Sequence, residues 1–268
     1  KRFQWKRGIV VNPKPVPQFE RLREPFVIPQ PQEVRYTDEP FVLKDGLKVV
    51  VGDIARFSNG SGGTMGKGMA IGRQIVEELA ERFRIRAVLV EEKKLGGEPP
   101  AGSIVIGEPE NSPLVGRLAK VAGWSITSES PGEQGYRMRI SPQGVLIAGY
   151  DQAGTFYGVQ SLMQLTLFRA NGSVAAQGCE ILDWPYMNYR TPFYYISKAG
   201  LIPKYKRMLK ALARLKINTV LCHLRVTPGQ TNPGSRSFGF EEARELQRFA
   251  DEHFIELEAY YVGRASGM

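Results

Sequence analysis

The second half of the chain alternates between strand-like and helix-like patterns, and this alternation limits the fold more than any other feature. Residues 191–197, TPFYYIS, form an aromatic strand pattern, and two further strand patterns cover Thr219–Val226 and Ile255–Tyr261. Two amphipathic segments, which begin near Pro203 and Phe240, separate the three strand patterns. Consecutive strand–helix–strand units form right-handed crossovers between parallel strands. The alternation therefore predicts the opening of an α/β barrel or of an open parallel sheet.

The first half predicts a sheet with a helix laid on it. The run YRMRI, residues 136–140, alternates between apolar and basic side chains, as a strand with one buried face requires. A Pro- and Gly-containing turn at 141–144 leads into a return strand at 145–148. In the helix pattern that follows, Gly154 and Gly158 remove side chains where a helix must approach its sheet closely.

The basic balance of the chain does not by itself identify a partner. Lys and Arg number 36 against 27 acidic residues, a formal net charge of +9. The densest basic run, Lys204–Lys216, is predicted to be the solvated face of a helix. No nucleic-acid motif accompanies it, and no apolar run reaches the about 18 residues of a transmembrane helix. We therefore expect neither a nucleic-acid partner nor a membrane span, and polyanion binding is the least favoured function.

Cysteine and histidine are too scarce for a metal cluster or a disulfide framework. The chain contains Cys179, Cys222, His223 and His253, whereas such sites need more ligands or more paired cysteines. Two buried free thiols are expected, although the cysteines could pair if the fold brought them together. We predict no metal and no cofactor.

Four stretches together carry a family resemblance. They are FVIPQPQEVRYTDEPFVL, GYRMRISPQGVLIAGYDQAGTFYGVQSLMQL, EILDWPYMNYR and KRMLKALARLKINTVLCHL. They resemble parts of glycoside hydrolase family 20, the β-N-acetylhexosaminidases. The first stretch resembles the opening segment of that family, and the second resembles the hairpin and closing helix of its first domain. The third resembles the start of its barrel, and the fourth resembles the first barrel helix with the second strand.

The resemblance implies an α/β fold class, with an α+β N-terminal domain followed by the opening β/α units of a TIM-type barrel. We predict three regions. Residues 1–25 form an extended, proline-rich tail, residues 26–178 form the N-terminal α/β domain, and residues 179–268 form a partial (β/α)8 barrel of about three strands. Three parallel strands leave an exposed sheet edge, which predicts self-association.

The resemblance also implies hydrolysis of terminal N-acetylhexosamine residues from glycans by substrate-assisted retaining catalysis. In the family, the acetamido oxygen of the substrate is the nucleophile, and an adjacent Asp-Glu pair at the end of the fourth barrel strand assists it. A full barrel takes about 250 residues, so the pair is expected beyond Met268 and no catalytic residue is predicted within the chain. The adjacent residues Asp251 and Glu252 are predicted to lie on a helix surface.

Two substrate-binding residues follow from the resemblance, Arg190 and His223. A family Arg at the start of the first barrel strand binds sugar hydroxyls, to which a guanidinium offers several donors in fixed geometry. A salt bridge at a strand end is the other interpretation of Arg190. His223 matches a family His on the second strand, and a hydrogen-bonded core histidine is the other interpretation there.

Departures from the family pattern leave the enzymatic function open. Tyr195 and Lys198 stand where the family has Asp and Arg, and Arg225–Thr227 replaces an Asp after the second strand. These losses favour an alternative, a carbohydrate-binding or assembly module without catalysis. A glycan is the expected partner in both cases. The first residue is Lys1 instead of Met, which suggests a processed or trimmed start, and a secreted, periplasmic or cell-surface protein is expected.

Overall fold

A computed structural model describes residues 26–53, 67–196, 199–222 and 238–259. The helices in these ranges are α1 (Lys67–Phe83), α2 (Pro113–Val121), α3 (Gln152–Leu165), α4 (Ile202–Arg214) and α5 (Phe240–Glu252). The strands are β1 (Glu33–Tyr36), β2 (Phe41–Leu43), β3 (Lys48–Val51), β4 (Val88–Glu91), β5 (Ser103–Gly107), β6 (Tyr136–Ser141), β7 (Gly144–Gly149), β8 (Thr166–Phe168), β9 (Val174–Ala176), β10 (Cys179–Asp183), β11 (Phe193–Tyr194), β12 (Thr219–Cys222) and β13 (Glu256–Ala259).

A seven-stranded mixed sheet forms the centre of the first half, with the strand order β1-β10-β6-β7-β5-β3-β4. Neighbours among β7, β5, β3 and β4 are parallel, whereas β6 pairs antiparallel with both β7 and β10. The predicted hairpin is confirmed, because Tyr136, Met138 and Ile140 are buried and the residues between them are not. A second, small sheet is antiparallel and has the strand order β2-β9-β8.

Helix α3 packs directly on the large sheet, as the sequence predicts. A Cβ atom added at Gly154 would lie 2.0 Å from the carbonyl oxygen of Gly135, and one added at Gly158 would lie 2.5 Å from Cγ2 of Ile147. Asp151 caps the helix by accepting a hydrogen bond from the Gly154 backbone N–H at 2.7 Å. The two glycines therefore permit a helix-to-sheet approach that side chains would prevent.

The second half contains a three-stranded parallel sheet, β11-β12-β13. Helix α4 connects β11 to β12 in the chain order, and α5 precedes β13. The predicted parallel crossovers are thus confirmed for the described strands. Two boundaries differ from the prediction. The strand β11 covers only Phe193–Tyr194, although the Pro192 carbonyl just before it still accepts a hydrogen bond from the Leu221 N–H of β12 at 3.1 Å, and the described part of the second strand ends at Cys222.

The strand β10 belongs to the large sheet, although its residues were assigned by sequence to the second region. Cys179–Asp183 pairs with β1 on one side and β6 on the other. The mixed α/β class of the fold is confirmed. The division of the chain into domains at residue 178 stays a prediction, as does the completion of a barrel.

Both cysteines are buried and free. Burial raises the pKa of Cys179 to about 12, with a smaller contribution from the Glu180 charge, and raises the pKa of Cys222 to about 11. Both thiols are therefore protonated at neutral pH. Among the described helices, none is both long and apolar enough to cross a lipid bilayer.

Candidate functional site

Arg190 lies just before β11, at the amino end of the parallel sheet. Its backbone N–H donates to Oδ1 of Asn218 at 2.9 Å, which ties the segment before β11 to the start of β12. The side chain points towards α3 on the large sheet, and its guanidinium carbon lies 5.2 Å from the ring centroid of Tyr157 in that helix. Arg190 therefore sits at the junction of the two sheets.

The guanidinium of Arg190 donates its hydrogen bonds to carbonyl oxygens of the protein. Nε donates to the Lys216 carbonyl at 2.6 Å, Nη1 to the Met187 carbonyl at 2.7 Å, and Nη2 to Oε1 of Gln134 at 2.8 Å. All three acceptors are neutral oxygens of the protein. They account for the position of the Arg190 side chain without a sugar hydroxyl and without the carboxylate of a salt bridge. Arg190 joins three separate segments of the chain.

A pocket of about 240 Å³ lies beside Arg190, and we call it the junction pocket. The residues around it come from β6, α3, the end of β10, and the segments that precede β1, β6, β11 and β12. They are Pro29, Gln30, Gln32, Gln134, Tyr136, Tyr157, Asp183, Trp184, Pro185, Tyr186, Met187, Arg190 and Lys216.

A buried ion pair forms the floor of the junction pocket. Nζ of Lys216 lies 2.6 Å from Oδ2 of Asp183 and donates to the Tyr136 hydroxyl at 3.1 Å. That hydroxyl shares a 2.6 Å hydrogen bond with Ser161 on α3. Burial lowers the pKa of Lys216, against the opposing effect of Asp183, while burial and then the Asp183 charge raise the pKa of Tyr136 well above its usual range.

Lys216 departs from the sequence prediction that the basic run is a solvated helix face, whereas Lys204 and Arg207 are exposed as predicted. Lys216 follows α4 with a φ of 57° and is only 6% exposed. The left-handed backbone conformation directs its side chain away from the helix surface and into the protein. Lys210 and Arg214 also depart from the prediction, because both form ion pairs with the buried Glu78 on α1, at 2.9 and 2.7 Å.

An apolar segment, Trp184–Met187, forms the rim of the junction pocket. Tyr186 is 92% exposed, and Trp184 and Met187 are also exposed. The backbone of this segment is nevertheless held in place, because the Trp184 carbonyl accepts from Nε2 of Gln32 at 3.1 Å and the Met187 carbonyl accepts from Arg190. The rim therefore presents aromatic side chains from a fixed backbone.

The parallel sheet has one covered face and one open face. Ile196, Val220 and Cys222 are buried among the residues of the core cluster that α4 and α5 complete. The opposite face, which we call the open face, carries exposed or half-buried side chains from all three strands: Phe193, Tyr195, Leu221, Glu256 and Glu258.

Two carboxylates stand side by side on the open face. Burial, followed by the charges of Glu258 and Asp251, raises the pKa of Glu256. Glu258 accepts a hydrogen bond from the Tyr189 hydroxyl at 2.5 Å, and this bond raises the pKa of Tyr189. The open face thus combines aromatic rings with acidic groups.

The remaining predicted residues fall into two groups. His223, Lys198 and Arg225–Thr227 lie outside the described residues, so the substrate-binding role predicted for His223 stays a prediction. Asp251 and Glu252 end α5, and Asp251 accepts a hydrogen bond from the Gln247 side chain at 2.8 Å. This confirms the predicted helix-surface position. In the part of the chain that the structure describes, no cluster of three or more His, Cys, Asp or Glu is arranged to hold a metal ion.

Sequence reasoning missed the network formed by Tyr136, Asp183 and Lys216. These residues lie in three separate segments, and each has an ordinary sequence context: an alternating strand, a strand end and a basic run. The left-handed turn after α4, where a Lys replaces the usual Gly, is the one local signal that distinguishes Lys216 from the helix surface.

Comparisons with known proteins point to one family. The family model described as glycosyl hydrolase family 20, domain 2, matches residues 24–184. A β-hexosaminidase of Porphyromonas gingivalis is 26% identical over 257 residues. Among solved structures, a mutant Streptomyces plicatus β-hexosaminidase in complex with its product GlcNAc aligns with a TM-score of 0.61 at 21% identity, and a β-N-acetylhexosaminidase of Bacteroides fragilis aligns with 0.57 at 19%.

The chain covers only part of each relative. The P. gingivalis alignment takes in 85% of this chain and 29% of the relative. The S. plicatus alignment takes in 86% of this chain and 44% of that protein, and the B. fragilis alignment takes in 87% and 44%. At this level of identity the solved structures establish similarity of fold.

Proposed function

The chain belongs to glycosyl hydrolase family 20, and from this premise we propose that it is the N-terminal portion of a longer β-N-acetylhexosaminidase-like enzyme. That enzyme would remove terminal N-acetylhexosamine residues from glycans. The names of the similar proteins support this substrate class, because they include a β-hexosaminidase and a complex with GlcNAc.

The open face of the parallel sheet is the observation that carries the proposal. Parallel sheets are normally buried on both faces, yet helices cover only one face of β11-β12-β13 in the described chain. In a (β/α)8 barrel, helices surround the sheet on the outside and side chains fill the inside. We propose that the open face, with Phe193, Tyr195 and Glu258, becomes the inside of such a barrel.

The catalytic carboxyl pair is proposed to come from a later strand. Barrel chemistry occurs at the carboxyl ends of strands, and the described strands end at Tyr194, Cys222 and Ala259, without an adjacent Asp-Glu pair. The proposed reaction uses the acetamido oxygen of the substrate as the nucleophile, so the protein needs one group to orient the acetamide and one to protonate the leaving oxygen.

Turnover of a chromogenic N-acetyl-β-glucosaminide by the full-length protein tests the proposal. We expect release of the chromophore with retention of anomeric configuration, measured by NMR of the first product. Replacement of either residue of the predicted Asp-Glu pair should abolish release. A well-folded full-length protein that releases no chromophore from either the glucosaminide or the galactosaminide would reject the proposal.

A non-catalytic carbohydrate-binding module is the second candidate function. The hydrogen bonds of Arg190 favour it. Because the guanidinium donates to the Lys216, Met187 and Gln134 oxygens, these donors are engaged by the protein instead of by the substrate of an enzyme. The two candidates separate in the same experiment: binding of N-acetylglucosamine without turnover supports the module, and turnover supports the hydrolase.

A further inference from the structure

We propose that the junction pocket binds one neutral sugar ring of a glycan, with Trp184 and Tyr186 as stacking surfaces. The choice of a sugar as occupant rests on the proposed function. The location of the pocket does not rest on the proposed function, because it follows from the geometry at the amino ends of β11 and β12.

The first argument is that the exposed aromatic rim is held rigidly. Exposed contiguous apolar side chains mark binding surfaces more often than chance, and Tyr186 is 92% exposed beside Trp184. The Gln32 and Arg190 hydrogen bonds fix the backbone of the rim, and the Asn218 amide fixes its end by donating to the Asn188 carbonyl at 2.6 Å. A surface ordered before binding loses less conformational entropy when a ligand arrives.

The second argument is the combination of rings with unused polar groups. No hydrogen bond joins the Gln30 amide, the amide nitrogen of Gln134 or the indole nitrogen of Trp184 to another described residue. All three residues line the pocket. A sugar ring has apolar C–H faces and hydroxyl edges, so it can stack on the aromatic rings while its hydroxyls bond to the amides and the indole.

The third argument is the charge of the pocket. The Lys216 charge is neutralised by Asp183 at 2.6 Å, and the Arg190 guanidinium is engaged by carbonyl oxygens from three segments. Neither cation is therefore placed to hold a phosphate or sulfate group. The occupant expected from this arrangement is neutral.

The size of the pocket limits the occupant to a single ring. Its volume of about 240 Å³ is below the about 300–1,000 Å³ of pockets that enclose drug-sized ligands. In this arrangement Arg190 is a positioning residue. It holds the Met187 carbonyl and the Lys216 carbonyl, and so keeps the rim beside the floor.

A fluorescence titration of the full-length protein tests the inference. The probe is the neutral β-1,4-linked trimer of N-acetylglucosamine, and the signal is the emission change that a Trp184→Phe variant lacks. We expect Tyr186→Ala to weaken the binding that produces this signal by about tenfold, the loss of one aromatic contact. Phe240→Ala is the matched control, because Phe240 is also exposed, at 54%, but lies at the start of α5, away from the pocket.

The outcomes separate the pocket from the proposed function. A Trp184-dependent signal that is weakened in Tyr186→Ala and unchanged in Phe240→Ala supports the pocket, even in a protein that shows no turnover. Turnover without any Trp184-dependent signal would overturn the pocket and leave the hydrolase in place. Equal weakening of binding in Tyr186→Ala and Phe240→Ala would also overturn the proposed sugar site in the pocket. Tighter binding of a sulfated saccharide than of the neutral trimer would do the same.

Discussion

Single residues connect the two sheets of this protein, and Lys216 is the clearest of them. A buried cation is costly unless it is paired and hydrogen-bonded. Lys216 meets both conditions, since Asp183 provides the charge and the Tyr136 hydroxyl provides a further acceptor. Lys216 comes from the segment before β12, whereas Asp183 and Tyr136 come from the large sheet, so the ion pair fastens one half of the molecule to the other.

Breaking this pair should destabilise the protein strongly. We expect Lys216→Met to lower the free energy of unfolding by about 3 kcal/mol, because removal of one partner leaves a buried charge uncompensated. Adding Asp183→Asn should restore part of the loss, since the amide needs no counter-ion and still accepts from the Gln32 N–H. Urea denaturation of the single and double variants measures both effects, and strictly additive losses would contradict the buried pair.

A second prediction concerns pH and the buried Glu78. Burial raises the pKa of Glu78, but hydrogen bonds from Lys210 and Arg214 outweigh burial and hold the pKa below its usual 4.5. A carboxyl with a lowered pKa in the folded state contributes stability above its unfolded pKa and loses it as the pH falls through the folded value. We therefore expect stability to decline as the pH falls below about 4.5.

The Glu78→Gln variant isolates this contribution. Its unfolding free energy should be lower than that of the wild type at pH 7 and should fall less steeply under acid, as followed by urea denaturation at a series of pH values. Glu77→Gln is the control, because Glu77 is exposed on the same helix. Identical acid profiles for the wild type and Glu78→Gln would show that the ion pairs with α4 do not matter to stability.

The roles of individual residues were harder to predict than their burial. Alternation along β6 correctly indicates that Tyr136, Met138 and Ile140 face the core. It cannot indicate that the Tyr136 hydroxyl meets Lys216, because that contact joins residues distant in the sequence. Periodicity reports which side of an element is buried, and long-range packing decides what each buried polar group meets.

Among the elements, α3 determines how closely helix and sheet can pack. Its glycines occupy positions where a side chain would strike backbone or core atoms, with the Gly135 carbonyl oxygen only 2.0 Å from a Cβ added at Gly154. Backbone cannot move aside as a flexible side chain can. The helix must therefore shift away from the segment before β6 to accommodate any residue other than glycine at that position.

We expect Gly154→Ala to lower the free energy of unfolding by about 1–3 kcal/mol, the cost of overpacking a well-packed core. Gly97→Ala is the matched control, because a Cβ added at Gly97 meets no atom within 4 Å. That change should leave stability unchanged or slightly higher, since it restricts the unfolded chain. Thermal unfolding by circular dichroism compares the two variants, and equal midpoints would refute the close approach of α3.

Element type was more predictable than element pairing. The strand at Ser103–Gly107 and the hairpin of β6 and β7 follow from β-branched runs and turn residues. The placement of β10 does not follow from such local patterns, because its position between β1 and β6 depends on contacts with segments more than 35 residues away. Local patterns identify strands, whereas sheet order depends on which exposed edges the folded chain leaves available.

The whole molecule combines a large sheet covered by helices with a small parallel sheet that has an open face. The contacts between them include the Lys216–Asp183 pair, the ion pairs of Glu78, and a stacked contact between Phe156 and Phe254 with ring centroids 4.7 Å apart. The two halves therefore share a packed and ion-paired boundary. The sugar site proposed for the junction pocket lies at this boundary, so its geometry depends on both halves.

The open face leads to a prediction about association of the 268-residue chain in isolation. Phe193 and Tyr195 are exposed on this face, and in the described chain β11 and β13 each pair on one side only. An exposed apolar sheet face with unpaired edges favours association with another copy. We expect the chain to elute as a concentration-dependent oligomer in size-exclusion chromatography with light scattering.

The double variant Phe193→Lys/Tyr195→Lys should shift the chain towards monomer, because charges on the open face oppose its burial. Phe240→Lys, on the helical side, is the control and should leave the association unchanged. A wild-type chain that stays monomeric at all concentrations would show that the open face is covered by other parts of the chain.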